Sequence, residues 1–475
     1  MIFKNKNFRD IIYVTFSNGM SIISGILVGF IIPKIMGYDD YGYYKTFTLY
    51  CSYIGFASLG VIDGIVLKYG NKDLQELNKG KFRSYFKIYV IINSIVALAV
   101  LAFSVFRLTG EYKQLFILFG LDIVLVNVTG FFQQISQITQ RFKEFSRRSI
   151  IKTVLNCAAV IVLYLLFTKS NEAVDYKLYI YFTLLINALL ALWYVFTYRK
   201  LVFGESNSIQ STVPEIKNLI IIGFPLLFSN LCGTLILNLD RQFVSAFWPV
   251  NLSNTYSIYA FAYNMLSLIT IATSAISTVL YPIMKRQTEE KLIKSFDSYS
   301  AVVLMFLFAS MILYYPLCWF INAFIPKYID SLIVFRVIFP GLSISTWITV
   351  IVHNYYKTLG KSHLYFIQSI IALGISFVFN TAAYLMFKST IAISIVSIFA
   401  MLIWLLITQG YLSKYHSVKW QYNFLYMIIM MLMFYLISSI ENAVVGIFTY
   451  AVVYAVFLYI FYRRKLIAIM KGEMF

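Results

Sequence analysis

The sequence predicts an all-α polytopic membrane protein of about fourteen transmembrane helices, and three observations carry that prediction. Of 475 residues, 60% are hydrophobic and 12% charged, with a mean hydropathy of +0.77. A soluble chain carries about 25% charged residues, so this much apolar surface needs lipid around its outward faces. Apolar runs of roughly 20 residues recur from one end of the chain to the other. Finally, the Lys and Arg residues between those runs alternate in abundance from one connection to the next.

The runs lie near 11–33, 42–66, 84–106, 114–139, 149–168, 178–198, 218–240, 255–282, 299–324, 332–356, 363–387, 390–411, 422–440 and 443–462. Lys4, Lys6, Arg9 and Asp10 precede the first run, which is long enough to span and reads as a crossing rather than a cleaved leader. Only Lys388, Ser389 and Thr390 separate the eleventh and twelfth runs. If connections are assigned to alternate sides, about three in four of the 39 lysines and arginines fall on one side. The basic clusters at 68–87, 141–152, 199–217 and 285–294 share that side, which the positive-inside rule makes the cytoplasm, with both termini in it. The net charge of +19 then reflects topology and contact with anionic headgroups, not nucleic acid.

Cys51, Cys157, Cys232 and Cys318 sit in apolar runs without metal-like or redox spacing, and read as small buried hydrophobes. His353, His363 and His416 make no zinc pattern. No phosphate-binding glycine loop, dinucleotide turn or nucleophile elbow occurs, so an ATP-driven pump on this chain alone is not indicated. Tyr38, Tyr41, Tyr43, Tyr44, Tyr194, Tyr198, Tyr411 and Tyr462 cluster at run ends, as an interfacial aromatic belt does.

Polar residues inside a bundle face its interior or a wet cavity. On the fourth run Asp122, Thr129, Gln133, Ser136 and Gln140 fall on one face at helical spacing; close helix packing and a hydrated pathway both explain such a stripe. On the tenth run Arg336, Pro340, Ser343, Trp347, Asn354 and Lys357 share a face, with snorkelling of the two cations as the plainer reading. Asn18, Ser21, Gly25 and Gly29 line up on the first run, and Asn230, Gly233, Thr234 and Arg241 on the seventh. Asp63, Asp122 and Asp240 are carboxylates in or beside the apolar slab, and so candidates for binding a proton or Na⁺; no other cofactor is expected. Arg241, Arg336, Lys357, Asn354, Gln133 and Gln140 are the candidates for lining a substrate cavity.

Phe16-Ser17-Asn18 on the first run recurs as Phe228-Ser229-Asn230 on the seventh, which suggests two six-helix lobes related by an axis along the membrane normal. The expected division is an N-terminal lobe over 1–200, a cytoplasmic linker over 201–217 rich in Gly, Ser and Pro, a second lobe over 218–411, and a final helix pair with a tail over 412–475.

Several segments carry a resemblance. Ile35-Met36-Gly37-Tyr38-Asp39-Asp40-Tyr41-Gly42 follows the first run, and Leu59-Gly60-Val61-Ile62-Asp63-Gly64 closes the second. Gly223-Phe224-Pro225-Leu226 opens the seventh and Leu280-Tyr281-Pro282 closes the eighth. Phe339-Pro340-Gly341 lies in the tenth, with Leu359-Gly360-Lys361 after it. In this order the segments resemble the Wzx-type oligosaccharide-lipid flippases of the MOP transporter superfamily. The resemblance implies a transporter, not an enzyme, in the bacterial cytoplasmic membrane. It implies two bundles forming a V around a cavity, which carry an undecaprenyl-pyrophosphate-linked oligosaccharide outward for O-antigen, lipopolysaccharide, capsule or a related polymer. Membrane lipids, a polysaccharide polymerase and chain-length machinery are the implied partners. Only structural turns transfer residue by residue: Gly37, Tyr41, Gly42, Gly64, Pro225, Pro282, Gly341 and Gly360. A cation-coupled multidrug exporter of the same superfamily is the nearest rival, and a membrane glycosyltransferase or polymerase the next.

Overall fold

The computed structural model describes residues 6–70, 72–170, 172–285 and 287–470, so the tails bearing Lys4 and Lys471 lie outside the described residues. Among the described residues the chain is helical throughout, without strands. Contacts divide it into two units. Unit 1 runs to Thr234 and regains Trp248–Ser257; unit 2 holds Leu235–Phe247 and everything from Ile258.

Unit 1 contains α1 (Lys6–Ile35), α2 (Tyr38–Cys51), α3 (Val61–Tyr69), α4 (Lys79–Arg107), α5 (Gly110–Ile138), α6 (Phe142–Ser170), α7 (Tyr176–Thr197), the short α8 (Arg199–Val202) and the first part of α9 (Ile209–Phe247). Here α1 packs on α6, and α5 lies against both α4 and α7. Its core is aromatic: Phe82, Tyr85, Tyr89, Phe131, Phe132 and Tyr194 are buried together with Val61, Ile65 and Leu219. The Phe132 ring stacks on Tyr198 at 5.4 Å and on Tyr194 at 6.2 Å.

The second apolar run is not one straight helix. It bends by 58° between Tyr38–Ser58 and Val61–Tyr69. Leu59 and Gly60 take left-handed backbone angles at the break, with φ of 50° and 82°. Gly60 is required twice over, since a Cβ there would lie 2.6 Å from the backbone nitrogen of Phe224 on α9. Gly64 and Gly223 continue the contact, so α3 and α9 touch backbone to backbone. Two of the segments that carried the family resemblance thus meet in space.

The stretch expected as a linker is held rather than loose. Arg83 on α4 donates to the carbonyls of Lys200 at 3.0 Å and Glu205 at 2.7 Å. Ser84 Oγ donates to the Asn207 carbonyl at 3.0 Å, and Lys87 to Ser206 at 2.9 Å. α9 then begins at Ile209 rather than 218, and Glu215 on its first turns accepts from Lys81 at 2.6 Å and from Tyr85 at 2.5 Å.

Unit 2 holds the end of α9 together with α10 (Thr255–Lys285), α11 (Glu289–Ser310), α12 (Tyr314–Phe324), α13 (Ser331–Thr346), α14 (His353–Thr358), α15 (Ser362–Phe387), α16 (Thr390–His416), α17 (Gln421–Ile437) and α18 (Ala443–Met470). α16 packs on α13 and α15, and the α17–α18 pair docks on α11 and α12. Polar groups fasten that docking: Asn423 Nδ2 donates to Asp297 at 2.9 Å, Lys465 pairs with Asp297 at 2.7 Å, and Tyr462 donates to Asn423 at 2.7 Å. Lys388 stops α15 in a left-handed conformation, φ 46°, which makes the short break between the eleventh and twelfth runs a true reversal.

The expected segments all fall in helical chain, although the second, ninth and tenth are each divided over two helices. Eleven described helices are long and apolar enough to cross a membrane, twelve if the bent pair counts as one, while α17 is shorter. A count of fourteen crossings is therefore not confirmed by length and composition. Large apolar side chains such as Leu98, Phe106, Leu385 and Phe448 lie exposed along these helices, as lipid-facing surfaces require.

Candidate functional site

Each unit holds a polar centre built on a buried aspartate inside apolar helices. In unit 2 it is built around Asp240, near the end of α9 and 2% exposed. Tyr259 and Tyr263 stand one turn apart on α10, so both phenols reach the same carboxylate oxygen. Tyr259 donates to Oδ2 at 2.8 Å, Tyr263 donates to it as well, and the Arg241 amide donates to Oδ1 at 2.7 Å. Ser394 on α16 donates to the Tyr259 hydroxyl at 3.1 Å. Arg241 turns over the Tyr263 ring at 4.6 Å and donates to Asn238 and to the Leu237 carbonyl. Its Nε is buried without a hydrogen-bond partner. Both carboxylate oxygens thus accept from donors of the protein itself. The two phenols were not singled out from the sequence. Two tyrosines at i and i+4 on the helix after an intramembrane aspartate were the available signal.

In unit 1 the centre is Asp122 on α5, also 2% exposed. Asn187 of α7 donates to its Oδ1 at 2.8 Å, Cys51 of α2 lies 3.8 Å from Oδ2, and Lys152 of α6 acts on it electrostatically. The rest of the expected stripe divides. Thr129 is buried with its hydroxyl unpartnered. Ser136 is buried against the Tyr198 hydroxyl at 2.7 Å, and Gln133 is half-buried near Tyr194. Gln140 is not on the helix face. α5 ends at Ile138, Gln140 adopts φ 55°, and the Arg141 amide closes back on the Ser136 carbonyl at 2.7 Å, a left-handed helix stop.

The tenth run also departs from its expected geometry. Trp347–Val352 is π-helical, between α13 and α14. One extra residue in that turn rotates all that follows by about 100°, so Asn354 and Lys357 leave the face that holds Arg336. Arg336 Nε donates to Ser438 at 2.9 Å and its Nη2 to the Tyr435 carbonyl at 3.0 Å, which caps the C-terminal end of α17. Asn354, 5% exposed, donates to Ser277 at 2.9 Å and to the Val350 carbonyl at 2.8 Å. Lys357 on α14 and Asp63 on α3 are half-buried. Of the sequence candidates, then, Asp240 and Arg241 are brought together, while Arg336, Asn354 and Asp122 each belong to separate contacts.

The model of the family described as polysaccharide biosynthesis protein matches residues 8–287, more than half of the chain. The chain belongs to the polysaccharide biosynthesis protein family. No curated protein matches it in sequence. The fold of this family member is similar to that of the lipid II flippase MurJ in an inward closed conformation, with TM-score 0.69 at 17% identity over 96% of this chain and 99% of that one. It is similar to a multidrug resistance MATE family transporter of the MOP superfamily in an inward-facing conformation, with TM-score 0.57 at 14% identity over 84% and 95%. A MOP superfamily transporter from Pyrococcus furiosus gives TM-score 0.57 at 14% identity over 84% and 94%. At such identities the likeness is one of fold. This family member is a multi-pass membrane protein whose fold is similar to those of the lipid II flippase and the MATE transporter.

Proposed function

We propose that this chain is a flippase that translocates undecaprenyl-pyrophosphate-linked oligosaccharide units across the bacterial cytoplasmic membrane, with both termini in the cytoplasm. The reading is supported chiefly by membership of the polysaccharide biosynthesis family, joined to a fold similar over nearly its whole length to that of a lipid II flippase. Transport by alternating access needs no bond-making residues. It needs a polar lining for sugars, cations for the pyrophosphate, and a gradient. Arg241, with a buried and unpartnered Nε, is the sequence candidate whose surroundings best suit contact with an anion. Asp240 beside it, with its two phenols, is the stronger candidate for H⁺ or Na⁺ coupling, and Asp122 the second. The products would serve O-antigen, capsule or related polymers, passed on to a polymerase and its chain-length partners.

Complementation tests this. The chain, expressed in a strain lacking its own oligosaccharide-lipid flippase, should restore surface polymer. The fold shared with a MATE transporter favours a second reading, a multidrug exporter. Raised drug resistance without restored polymer would select that reading and reject the first.

A further inference from the structure

The basic stretch 141–152 reads from sequence as a cytoplasmic loop, but α6 begins at Phe142, so its last cation lies ten residues inside a helix. A helix rises 1.5 Å per residue, which places Lys152 about 15 Å along the axis. Glu144, Arg148, Lys152 and Asn156 recur at every fourth position and climb one face.

Arg148 is 4% exposed and rigidly held. Its Nη2 donates to Thr197 at 2.7 Å, its Nη1 stands 3.6 Å from Glu144, and its guanidinium lies over the rings of Tyr194 at 4.2 Å and Trp193 at 5.1 Å. Nε and Nη1 still donate no hydrogen bond. One turn further in, Lys152 is half-buried and within electrostatic reach of Asp122 and Cys51. Among the described residues it donates no hydrogen bond and forms no ion pair. Asp122 acts on it electrostatically but takes no hydrogen bond from it; Asn187 and Cys51 are the groups that approach the carboxylate oxygens. The Lys152 ammonium thus stands inside α6 with its three donors unmet among the described residues. Cationic donors left unmet among membrane helices call for an acceptor, and an anion is the acceptor they hold most strongly.

We propose that Lys152, backed by the fixed charge of Arg148, is a binding site within unit 1 for a phosphate-bearing anion. The division of labour follows from the side chains. The guanidinium is clamped and supplies field, while the ammonium is a point charge on a flexible stem with three free donors. The inference rests on the flippase reading for its substrate and names the cation that meets the substrate's anionic group. Phosphate chemistry is shared by a polyprenyl diphosphate and by the headgroup of an anionic phospholipid, so the test separates the two.

The full chain, reconstituted in phosphatidylcholine nanodiscs, is titrated with sugar-free undecaprenyl diphosphate, with undecaprenol and with phosphatidylglycerol. Diphosphate should bind and undecaprenol should not displace it. Lys152→Gln, and Lys152→Met as a second variant, should melt as the wild type does but bind roughly thirtyfold more weakly. Lys152→Arg should stay within about threefold of wild type. Failure of phosphatidylglycerol to displace the diphosphate assigns the site to the substrate; ready displacement that also depends on Lys152 keeps the site and assigns it to bulk lipid. Equal diphosphate affinity in wild type and Lys152→Gln overturns the site. If wild type restores no polymer yet binds diphosphate through Lys152, the flippase reading falls and the site stands. If wild type and Lys152→Gln both restore polymer and bind alike, the reverse holds.

Discussion

A methyl group built on Gly223 of α9 would lie 2.9 Å from the Cα of Gly64 on α3, and nearer still to its amide nitrogen. The atoms in the way are backbone, so no side chain can swing aside to admit it. Gly223→Ala should therefore lower stability in detergent by about 2 kcal/mol, in the range for overpacked cores. Gly374→Ala on α15, where nothing lies within 4 Å, should be neutral or slightly stabilising. Fluorescence-detected melting of the two variants checks both, and equal melting temperatures would show that the α3–α9 contact is looser than described.

Arg336 acts on α17 through Ser438 and the Tyr435 carbonyl. Arg336→Gln should cost about 1–3 kcal/mol of stability, because a charged cap is lost and a carbonyl left open. Export per folded molecule should change little. A variant that melts normally but exports poorly would instead make Arg336 a substrate contact.

Tyr259→Phe and Tyr263→Phe each remove one donor from a buried carboxylate while preserving the ring. Under the proposed coupling role, each should reduce polymer export roughly tenfold, the effect of about 1.4 kcal/mol at the transport barrier. Asp240→Asn should abolish it. Membrane abundance, followed by immunoblot, should be unchanged in all three. Normal export in Asp240→Asn would remove Asp240 from the mechanism.

Lys327 lies in the connection between α12 and α13, where burial lowers its amine to about 8. An ordinary lysine titrates near 10.4, so at pH 8 Lys327 holds about a hundredfold more neutral amine than its peers. Under the proposed topology, with both termini in the cytoplasm, that connection lies outside the cell. A membrane-impermeant acylating reagent at pH 8 should thus label Lys327 first in intact cells, and Lys327→Arg should lose the label. Labelling seen only after lysis would invert the topology.

The apolar runs were legible because a spanning helix must be apolar over most of its length, and the runs landed in helical chain, three of them divided over two helices. What sequence could not show was phase and partnership. The π-helical turn at Trp347–Val352 has no residue signature, yet it separates Lys357 from the face of Arg336. Gln140 looked like the next step of a stripe until its left-handed backbone took it off the helix. Lys152 was hidden by its neighbours, since a run of cations near a span end reads as loop although the helix starts before them. The glycines at 60, 64 and 223 were visible as motifs, but their mutual contact joins positions far apart in the chain.

The stitching of residues 200–207 to α4 bears on how such proteins can be recombined. A Gly- and Ser-rich connector invites use as a crossover point when chimaeras are assembled from relatives. Here Arg83 reads two carbonyls of that connector, and Ser84 and Lys87 two more of its atoms. A junction placed inside it would leave one parent's α4 facing the other parent's strap, whereas a splice upstream of Arg83 or downstream of Glu215 would inherit matched stitches.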